Sequence, residues 1–546
     1  MSHGQLAKPS AWDVVVIGAG PVGLAATIEL ARRGVRTLLV ERNDRVGHAP
    51  RAKTCNVRTC EHLRRWGIVE RLRARAPFGV DYPSNVVFTT RLAGYPLARF
   101  ENAFFCRPGA HSLYAEHAQW VPQYKLEETL LEHVHELPAA TVRFNTNVTE
   151  FAQDAESVTI TLDTPQGSET IESRYVIAAD GAGSATRKAL GIQMIGDGAL
   201  SKHRMLIFRS PTLAQQHSLG PAVAYWIINS DSPSVLGPMD DDGRWYFGFT
   251  PRPGLEDAVE ALRSATALDI DPEVLSVGDW TAYRLVADRY RAGRIFLAGD
   301  ACHLHPPYGG YGMNLGVGDA VDIGWKLAAV LQGWAGETLL DSYGIERRPV
   351  HLRTIDEAVI NHSQSSASLA TDALENDGVT GEAARASAKE RILAEKVREF
   401  DTLGVVLGYR YDESPVIVGD GTDAPPHHYR DYSPSSRPGN RAPHFWLDPT
   451  STSRNAALYD RFGEGFTLLV TSGDAHETEQ MQACARALGI PLAVLVIDDP
   501  ELHALYKARY ALIRPDQHVA WRGEALPSDS EQLLVTVTGR ASHANS

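Results

Sequence analysis

The stretch Asp13-Val14-Val15-Val16-Ile17-Gly18-Ala19-Gly20-Pro21-Val22-Gly23-Leu24 decides the fold of this chain. Asp13–Ile17 is a short β-rich run, Leu24–Arg33 has helical composition, and Thr37–Val40 is a second apolar run. Strand, glycine-rich turn, helix and strand in that order begin a parallel α/β sheet. A lone GxGxxG is a weak signal, because an ordinary glycine-rich turn reads the same. Here it follows a strand and opens a helix, and Glu41 ends the next strand at the right distance for a dinucleotide site. Glycines let the backbone approach a diphosphate. The helix N-terminus offers free N–H groups and the positive end of a dipole. Glu41 can accept hydrogen bonds from both hydroxyls of a ribose.

Outward from this turn, 546 residues suggest about three or four units at roughly 150 residues each. Hydrophobic residues make up 43% and charged residues 22%, the profile of a globular chain able to bury a large core. With 53 basic against 67 acidic side chains the net charge is −14, and there is no Lys/Arg-rich run. That balance argues against nucleic acid or an anionic membrane as partner. No stretch reaches the roughly 18 apolar residues of a membrane helix, and Met1–Trp12 is polar, so a cytoplasmic location is expected. The cysteines Cys55, Cys60, Cys106, Cys302 and Cys484 are odd in number and scattered, which fits reduced thiols. Cys55 and Cys60 have no second Cys/His pair at ligand spacing, so no metal is expected.

Further along, Arg58–Arg75 and Leu126–Glu136 carry helical patterns. Val158–Leu162 alternates, and Gly167 turns a hairpin. Tyr175–Ala179 and Arg294–Ala298 are continuous apolar runs of the buried parallel type. Between them, about Met205 to Arg289 reads as a separate antiparallel sheet that includes Val223–Ile228 and Trp245–Phe249. The dinucleotide unit, 1–365, is therefore expected to be split by a second sheet at about 78–115 and 192–290. Gly318–Leu331 and the Ala- and charge-rich stretch Ser363–Phe400 read as helical, with a helical segment over 366–410. The Pro-, Gly-, Asp- and Ser-rich stretch within 411–460 reads as an ordered linker. A last unit, 461–546, has strands at Phe466–Val470, Leu492–Ile497, Tyr510–Ile513 and His518–Trp521, with a helix at Glu477–Leu488.

Two later motifs narrow the cofactor. Asp180-Gly181-Ala182-Gly183-Ser184, with Arg187 after it, ends one buried strand. Gly299-Asp300-Ala301-Cys302-His303-Leu304-His305-Pro306-Pro307 ends another and runs into Gly309-Gly310-Tyr311-Gly312-Met313-Asn314. With these motifs the chain resembles the class A flavoprotein monooxygenases, the FAD-dependent aromatic hydroxylases, over nearly its whole length. The resemblance implies an α/β fold: a doubly wound FAD-binding sheet, an inserted antiparallel substrate sheet and a C-terminal thioredoxin-like domain, as in phenol hydroxylase-like members. It implies FAD as cofactor, held by Gly18, Gly20, Pro21, Val22, Gly23, Glu41 and Arg42. Arg51 and Gln123 match further family contacts, and Val148 a residue beside the adenine. Asp180 would serve the cofactor, and Asp300 would bond its ribityl or diphosphate region. Gly310, Gly312, Met313 and Asn314 would present backbone to the pyrimidine end of the flavin. Pro307 would line the face where oxygen reacts.

The chain shows no second GxGxxG and no Cys pair of a flavin disulfide reductase. The resemblance then implies that NADPH or NADH docks transiently, and that reduced flavin forms a hydroperoxide with O2 which hydroxylates a small aromatic substrate. A phenol reacts better as phenolate, so the pocket should favour proton loss and exclude water. Lys53 stands where many relatives carry His or another polar residue, and its charge could stabilise a phenolate or carboxylate; a solvated surface lysine is the plain alternative. Tyr225 could position a substrate hydroxyl, or be an ordinary packed aromatic. Baeyer–Villiger insertion or epoxidation on a polyketide, a flavin dehydrogenase or oxidase without oxygen transfer, and a flavin-carrying binding protein are the competing readings. The segment Arg437–His444 and the ending around Leu512–Arg522 also resemble the larger family members. Their thioredoxin-like unit here has only Cys484, so dithiol exchange is excluded and packing or association into a homodimer is the expectation.

Overall fold

A computed structural model describes residues 12–44, 52–451, 453 and 455–540. Arg51 lies outside the described residues. The first sheet places its strands in the order 291–292, 295–297, 167–178, 12–17, 37–40 and 140–143, with the 147–153 and 158–164 strands folded onto the outer half of 167–178. Trp12–Ile17 is parallel to both Thr37–Val40 and the inner half of Gly167–Ala178, which is parallel in turn to Ile295–Leu297. The register aligns Ile17 with Val40 and with Ala178, and Ala178 with Leu297. Four chain segments far apart in sequence therefore leave the sheet at one edge: Gly18–Gly23, Glu41, Asp180–Ser184 and Gly299–Asp300. Ligands of open α/β sheets bind outside this carboxyl edge. Helices Pro21–Ala31, Gln123–Glu136 and Gly312–Leu331 cover the sheet around a core that includes Val14, Leu24, Ile177, Phe296 and Leu327.

The second sheet has eight strands, in the order 303–304, 273–287, 194–209, 244–249, 234–238, 224–227, 86–89 and 96–100. Alternation gives it two different faces. Leu206, Phe208, Tyr225, Leu236 and Phe247 pack with helix Ala258–Thr266. Phe88, Trp226, Val235, Ile207 and Tyr246 point the other way, toward the first sheet's loops. The third sheet runs 492–496, 466–470, 510–513 and 519–523, its first pair parallel and the others antiparallel. It packs Phe466, Leu468 and Leu512 against Trp325 and Ala329 of helix Gly312–Leu331.

Several expectations change. Arg58–Arg75 is two helices, Val57–Trp66 and Val69–Arg75, because Gly67 at φ 79° caps the first in the left-handed region. The helix expected from Gly318 begins at Gly312. Ser363–Phe400 is interrupted: one helix ends at Ser363, a short turn follows at Ser366–Leu369, and Gly378–Phe400 is a separate helix. The stretch from Gly408 to Ala457 has no regular helix or strand among the described residues, yet it buries Asn440, Arg441 and His444. No helix among the described residues is long and apolar enough to cross a membrane.

Candidate functional site

The glycines of the first turn do different jobs. Gly18 has φ +101°, and a Cβ there would stand 2.5 Å from the Ala179 carbonyl oxygen. A Cβ on Gly23 would lie 1.8 Å from the Gly18 oxygen. These two let the turn close on the next strand and on itself. Gly20 is the N-cap of helix Pro21–Ala31 and supplies no side-chain acceptor; its Cβ would meet no atom within 4 Å. The turn therefore has one open side, in front of a helix N-terminus with Pro21 pre-set at its start. Glu41 faces it: Oε2 accepts from the Ala19 N–H at 2.8 Å, and Oε1 from the Asn43 N–H at 3.0 Å. Arg42 is exposed beside it, and Val148 is half-buried against the Val15–Val40 core of the same sheet. An open glycine face, uncapped N–H groups and an adjacent carboxylate fit the diphosphate and ribose of a dinucleotide.

The two later motifs are bolted to each other. Asp180 accepts from Ser184 Oγ at 2.6 Å and from the Thr186 N–H at 3.1 Å, and so shapes its own loop. Arg187 donates to the Ala182 carbonyl at 3.3 Å and the Ala301 carbonyl at 3.0 Å, which joins that loop to the Gly299–Ala301 turn. Gly299, at φ +63°, lies against Val22, whose Cγ2 would be 2.8 Å from a Cβ there. Asp300 is exposed at the end of this turn, on the same edge as Gly20. Behind the turn lies a group that sequence reasoning missed. Asp319 accepts from the Gly299 N–H at 3.0 Å, with His303, His351 and Arg347 around it at 3.1, 2.8 and 2.8 Å. Burial alone would raise the Asp319 carboxyl, but His351 and Arg347 outweigh it and hold the group well below the usual carboxylate range. A carboxylate within an apolar helix stretch was the available signal. Cys302, His303, Asp319 and His351 lie close enough to share an ion, but the Arg347 guanidinium already supplies the cation.

The next segment forms the wall between the two sheets. Gly309 and Gly310 have φ +86° and +65°, and helix Gly312–Leu331 starts directly after them. Asn314 spends its side chain on structure: Nδ2 donates to the Gly310 carbonyl at 2.7 Å and the Thr54 carbonyl at 2.9 Å, and Oδ1 accepts from the Asn56 N–H at 2.9 Å. Its backbone and those of Gly312 and Met313 are the first of the helix. Gln123 holds Ala52 from both sides, its N–H donating to the Ala52 carbonyl at 2.9 Å and its Oε1 accepting from the Ala52 N–H at 3.1 Å. Ala52 and Thr54 are thus fixed on either side of Lys53. Pro307 is exposed, and its carbonyl accepts from the Gly310 N–H at 3.1 Å.

Lys53 is not a solvated surface lysine. It is half-buried, with Nζ 3.6 Å from the centre of the Tyr246 ring on the inward face of the second sheet. Burial pulls its ammonium down to about 8. Tyr124 packs in the same cluster as Tyr246 and donates to Asp240, away from the Lys53 ammonium. Along the same wall Trp226 is 5.9 Å from Tyr308, next to Pro307. Tyr225 is elsewhere, and its proposed substrate contact is corrected. It points to the opposite face, packs with Trp245 and His217, and donates its hydroxyl to the Gly220 carbonyl at 2.7 Å. The alternation that puts Trp226 inward puts Tyr225 outward. Tyr225→Phe is therefore expected to keep turnover within about twofold and to lose about 1 kcal/mol of stability; steady-state kinetics with urea unfolding check both.

Motifs gathered at the carboxyl edge of a split α/β sheet, under an inserted antiparallel sheet, define an FAD-binding oxidoreductase. A family model for the FAD binding domain matches residues 11–358, and one for the aromatic-ring hydroxylase C-terminal domain matches 435–541. The chain belongs to this family of FAD-dependent aromatic and polyketide hydroxylases, and is a flavoprotein monooxygenase. It is 34% identical to tetracenomycin B2 monooxygenase-dioxygenase of Streptomyces olivaceus, over 96% of this chain and 98% of that protein. It is 33% identical to 4-methyl-5-nitrocatechol 5-monooxygenase of a Burkholderia species, over 95% and 96%. Its fold matches the rebeccamycin biosynthetic enzyme RebC with reduced flavin at a TM-score of 0.89 and 35% identity, over 97% of this chain and 99% of that one. It also matches aklavinone-11 hydroxylase bound to FAD and aklavinone, at 0.82 and 28%, over 98% and 100%.

Proposed function

We propose that this protein hydroxylates an electron-rich phenolic or polycyclic aromatic substrate carrying an acidic group, using NAD(P)H as reductant and O2 as oxidant. One oxygen atom enters the ring and the other leaves as water. The bound flavin supplies the oxygen activation; the chain's own residues position the ring and set its charge. Gly18–Gly23, Glu41, Asp180 and Asp300 would hold the cofactor, with the backbone of Gly312–Asn314 at its pyrimidine end.

The observation that carries the substrate reading is Lys53. Among the described residues no acidic group stands beside its ammonium, and burial is the cause of its shift. An unpaired cation at a half-buried aromatic wall favours an anion in front of it. A phenolate or carboxylate on the substrate meets that need, and Tyr246, Trp226 and Tyr308 make the wall around it aromatic. Relatives whose names include aklavinone and tetracenomycin B2 support a polycyclic ring, and the nitrocatechol relative supports an acidic phenol.

The reaction is tested with 18O2: label in the aromatic product supports hydroxylation, and substrate-stimulated NAD(P)H oxidation without label removes the monooxygenase step. Lys53→Met tests the charge. It is expected to weaken binding of a phenolic acid roughly tenfold or more while leaving a neutral analogue within about twofold. The sign with pH follows from the lowered value: the ammonium loses its proton as pH rises through about 8, so affinity of the wild type for the acid falls there. A variant with unchanged affinity and an unchanged pH profile would sink the role given to Lys53.

A further inference from the structure

The inward face of the second sheet carries a polar row beyond its aromatic part. Ile207 and Met205 lie on that face, and alternation along Met194–Arg209 puts His203 and Ser201 on it too. Ser201 Oγ is 2.6 Å from His203 Nε2 and 2.7 Å from Nε2 of His362, at the end of helix Thr338–Ser363. His203 Nδ1 is 3.1 Å from Thr250 Oγ1, and its ring stacks on Trp280 with 4.4 Å between centres. Thr250 is exposed. At the other end the His362 ring meets Tyr308 edge-on at 5.4 Å, next to Pro307.

Thr250, His203, Ser201 and His362 thus form one hydrogen-bonded row from solvent to the wall of the site. Every member can both donate and accept. Ser201 has one hydroxyl proton for two ring nitrogens, so one imidazole donates at Nε2 and the other accepts. The row therefore has two polarities with the same connectivity, one running each way. Among the described residues no charged side chain hydrogen-bonds to it; a charged partner would make a stronger bond and lock one polarity. Burial keeps both rings neutral: it pulls His203 down to about 4 and lowers His362, with the Lys396 charge adding to the second. Hydroxylation needs such a row. A ring C–H, O2, NAD(P)H and one proton give a ring C–OH, water and NAD(P)+, so each turnover takes up one solvent proton. A site that excludes water has no direct route for it.

We propose that Thr250, His203, Ser201 and His362 are a proton relay that carries this proton from solvent to the Tyr308 side of the site. The inference rests on the hydroxylase reading of the site. In the inward polarity the Thr250 hydroxyl proton passes to His203 Nδ1 as a solvent proton replaces it. The His203 Nε2 proton passes to Ser201 Oγ, the Ser201 proton passes to His362 Nε2, and His362 releases its Nδ1 proton to the site. One proton enters, one leaves, and no member changes charge. The row is left in the opposite polarity, and rotation of the hydroxyls with return of the rings to their first tautomers restores it.

Ser201→Ala breaks the row, and Ser201→Thr keeps a hydroxyl in it. Reduction of the holoenzyme by NAD(P)H transfers a hydride and is expected to stay within about twofold of wild type in both variants. Reoxidation by O2 with substrate present takes up the proton. It is expected to slow roughly tenfold in the Ala variant, with a larger solvent deuterium isotope effect than in wild type, and to recover in the Thr variant. An unchanged Ala variant, slowing without a larger isotope effect, or a Thr variant as slow as the Ala one overturns the relay. Nitrogen-15 spectra of the histidine rings in the wild-type protein decide the matter even if neither variant folds. His203 and His362 are expected to show averaged tautomers; one fixed tautomer at each ring makes Ser201 a structural tie and overturns the relay. A wild type that incorporates no labelled oxygen removes the hydroxylase reading instead, and the tautomer result is unaffected by it.

Discussion

Gly20→Ala is expected to leave the stability of the apoprotein within about 0.5 kcal/mol and to weaken FAD binding about 100-fold, roughly 2.7 kcal/mol. The added Cβ meets no protein atom within 4 Å, and the backbone at φ −71°, ψ 179° suits alanine as well as glycine. Nothing in the fold resists the methyl group. What resists it is a diphosphate brought against that open face by the helix N-terminus. Gly23→Ala separates this from damage to the fold. Its Cβ would sit 1.8 Å from the Gly18 oxygen, so that variant should lose stability before cofactor binding can be asked about. Urea unfolding of the apoproteins and FAD titration followed by flavin fluorescence make the comparison. A Gly20→Ala protein that binds FAD as the wild type does would place the diphosphate elsewhere.

The same turn shows what was legible in the sequence. Strand, glycines, helix and acidic residue lie close together in the chain, and each carries its own local reason. The Asp180 and Asp300 motifs also sit at the ends of apolar runs, and parallel register then brings them to one edge. Legibility ends where orientation depends on a partner. Alternation along Ala224–Ile227 gave two faces, but only the packing of helix Ala258–Thr266 on one of them shows that Trp226, and not Tyr225, looks inward. The helix at Gly312 starts earlier than its apolar pattern because its first turn holds a glycine and an asparagine whose side chain is fixed to Gly310 and Thr54. Lys396 and Glu399 lie on a helix whose composition is that of a solvated one, yet Lys396 is buried against Trp226 and paired with Glu399. The stretch 411–460 reads as a linker from its prolines and glycines, yet Arg441 within it is buried and paired with Glu61. Long-range charge pairs leave no trace in local pattern.

The largest of those pairings yields the second prediction: Arg514→Met should cost about 3–5 kcal/mol of unfolding free energy, and more at pH 9 than at pH 6. Arg514 is fully buried and grips Glu346 with two nitrogens, at 2.6 and 2.8 Å, and Asp516 at 2.6 Å. Lys326 reaches Glu346 at 2.6 Å and Asp322 at 2.7 Å, and Ser414 donates to Glu346 at 2.5 Å. The cluster joins helices Gly312–Leu331 and Thr338–Ser363 to the C-terminal unit, so it docks that unit on the helix that follows the Gly309–Gly310 turn. Three carboxylates face two cations. Burial, opposed by Lys326, raises the Asp322 carboxyl to about 8. The folded state therefore keeps a proton that the unfolded chain would release near 4. Stability from this group is fully present at low pH and is lost as pH rises through about 8. Removing Arg514 leaves one cation for three carboxylates; protonation at pH 6 relieves part of that excess and pH 9 relieves none. Urea unfolding of wild type and variant at the two pH values measures both effects. Adding Glu346→Gln should recover a substantial part of the loss, since it removes one of the stranded charges. A loss below about 1 kcal/mol would mean that apolar contacts such as that with Trp325 hold the C-terminal unit, and a loss that is the same at both pH values would overturn the protonation assigned to Asp322.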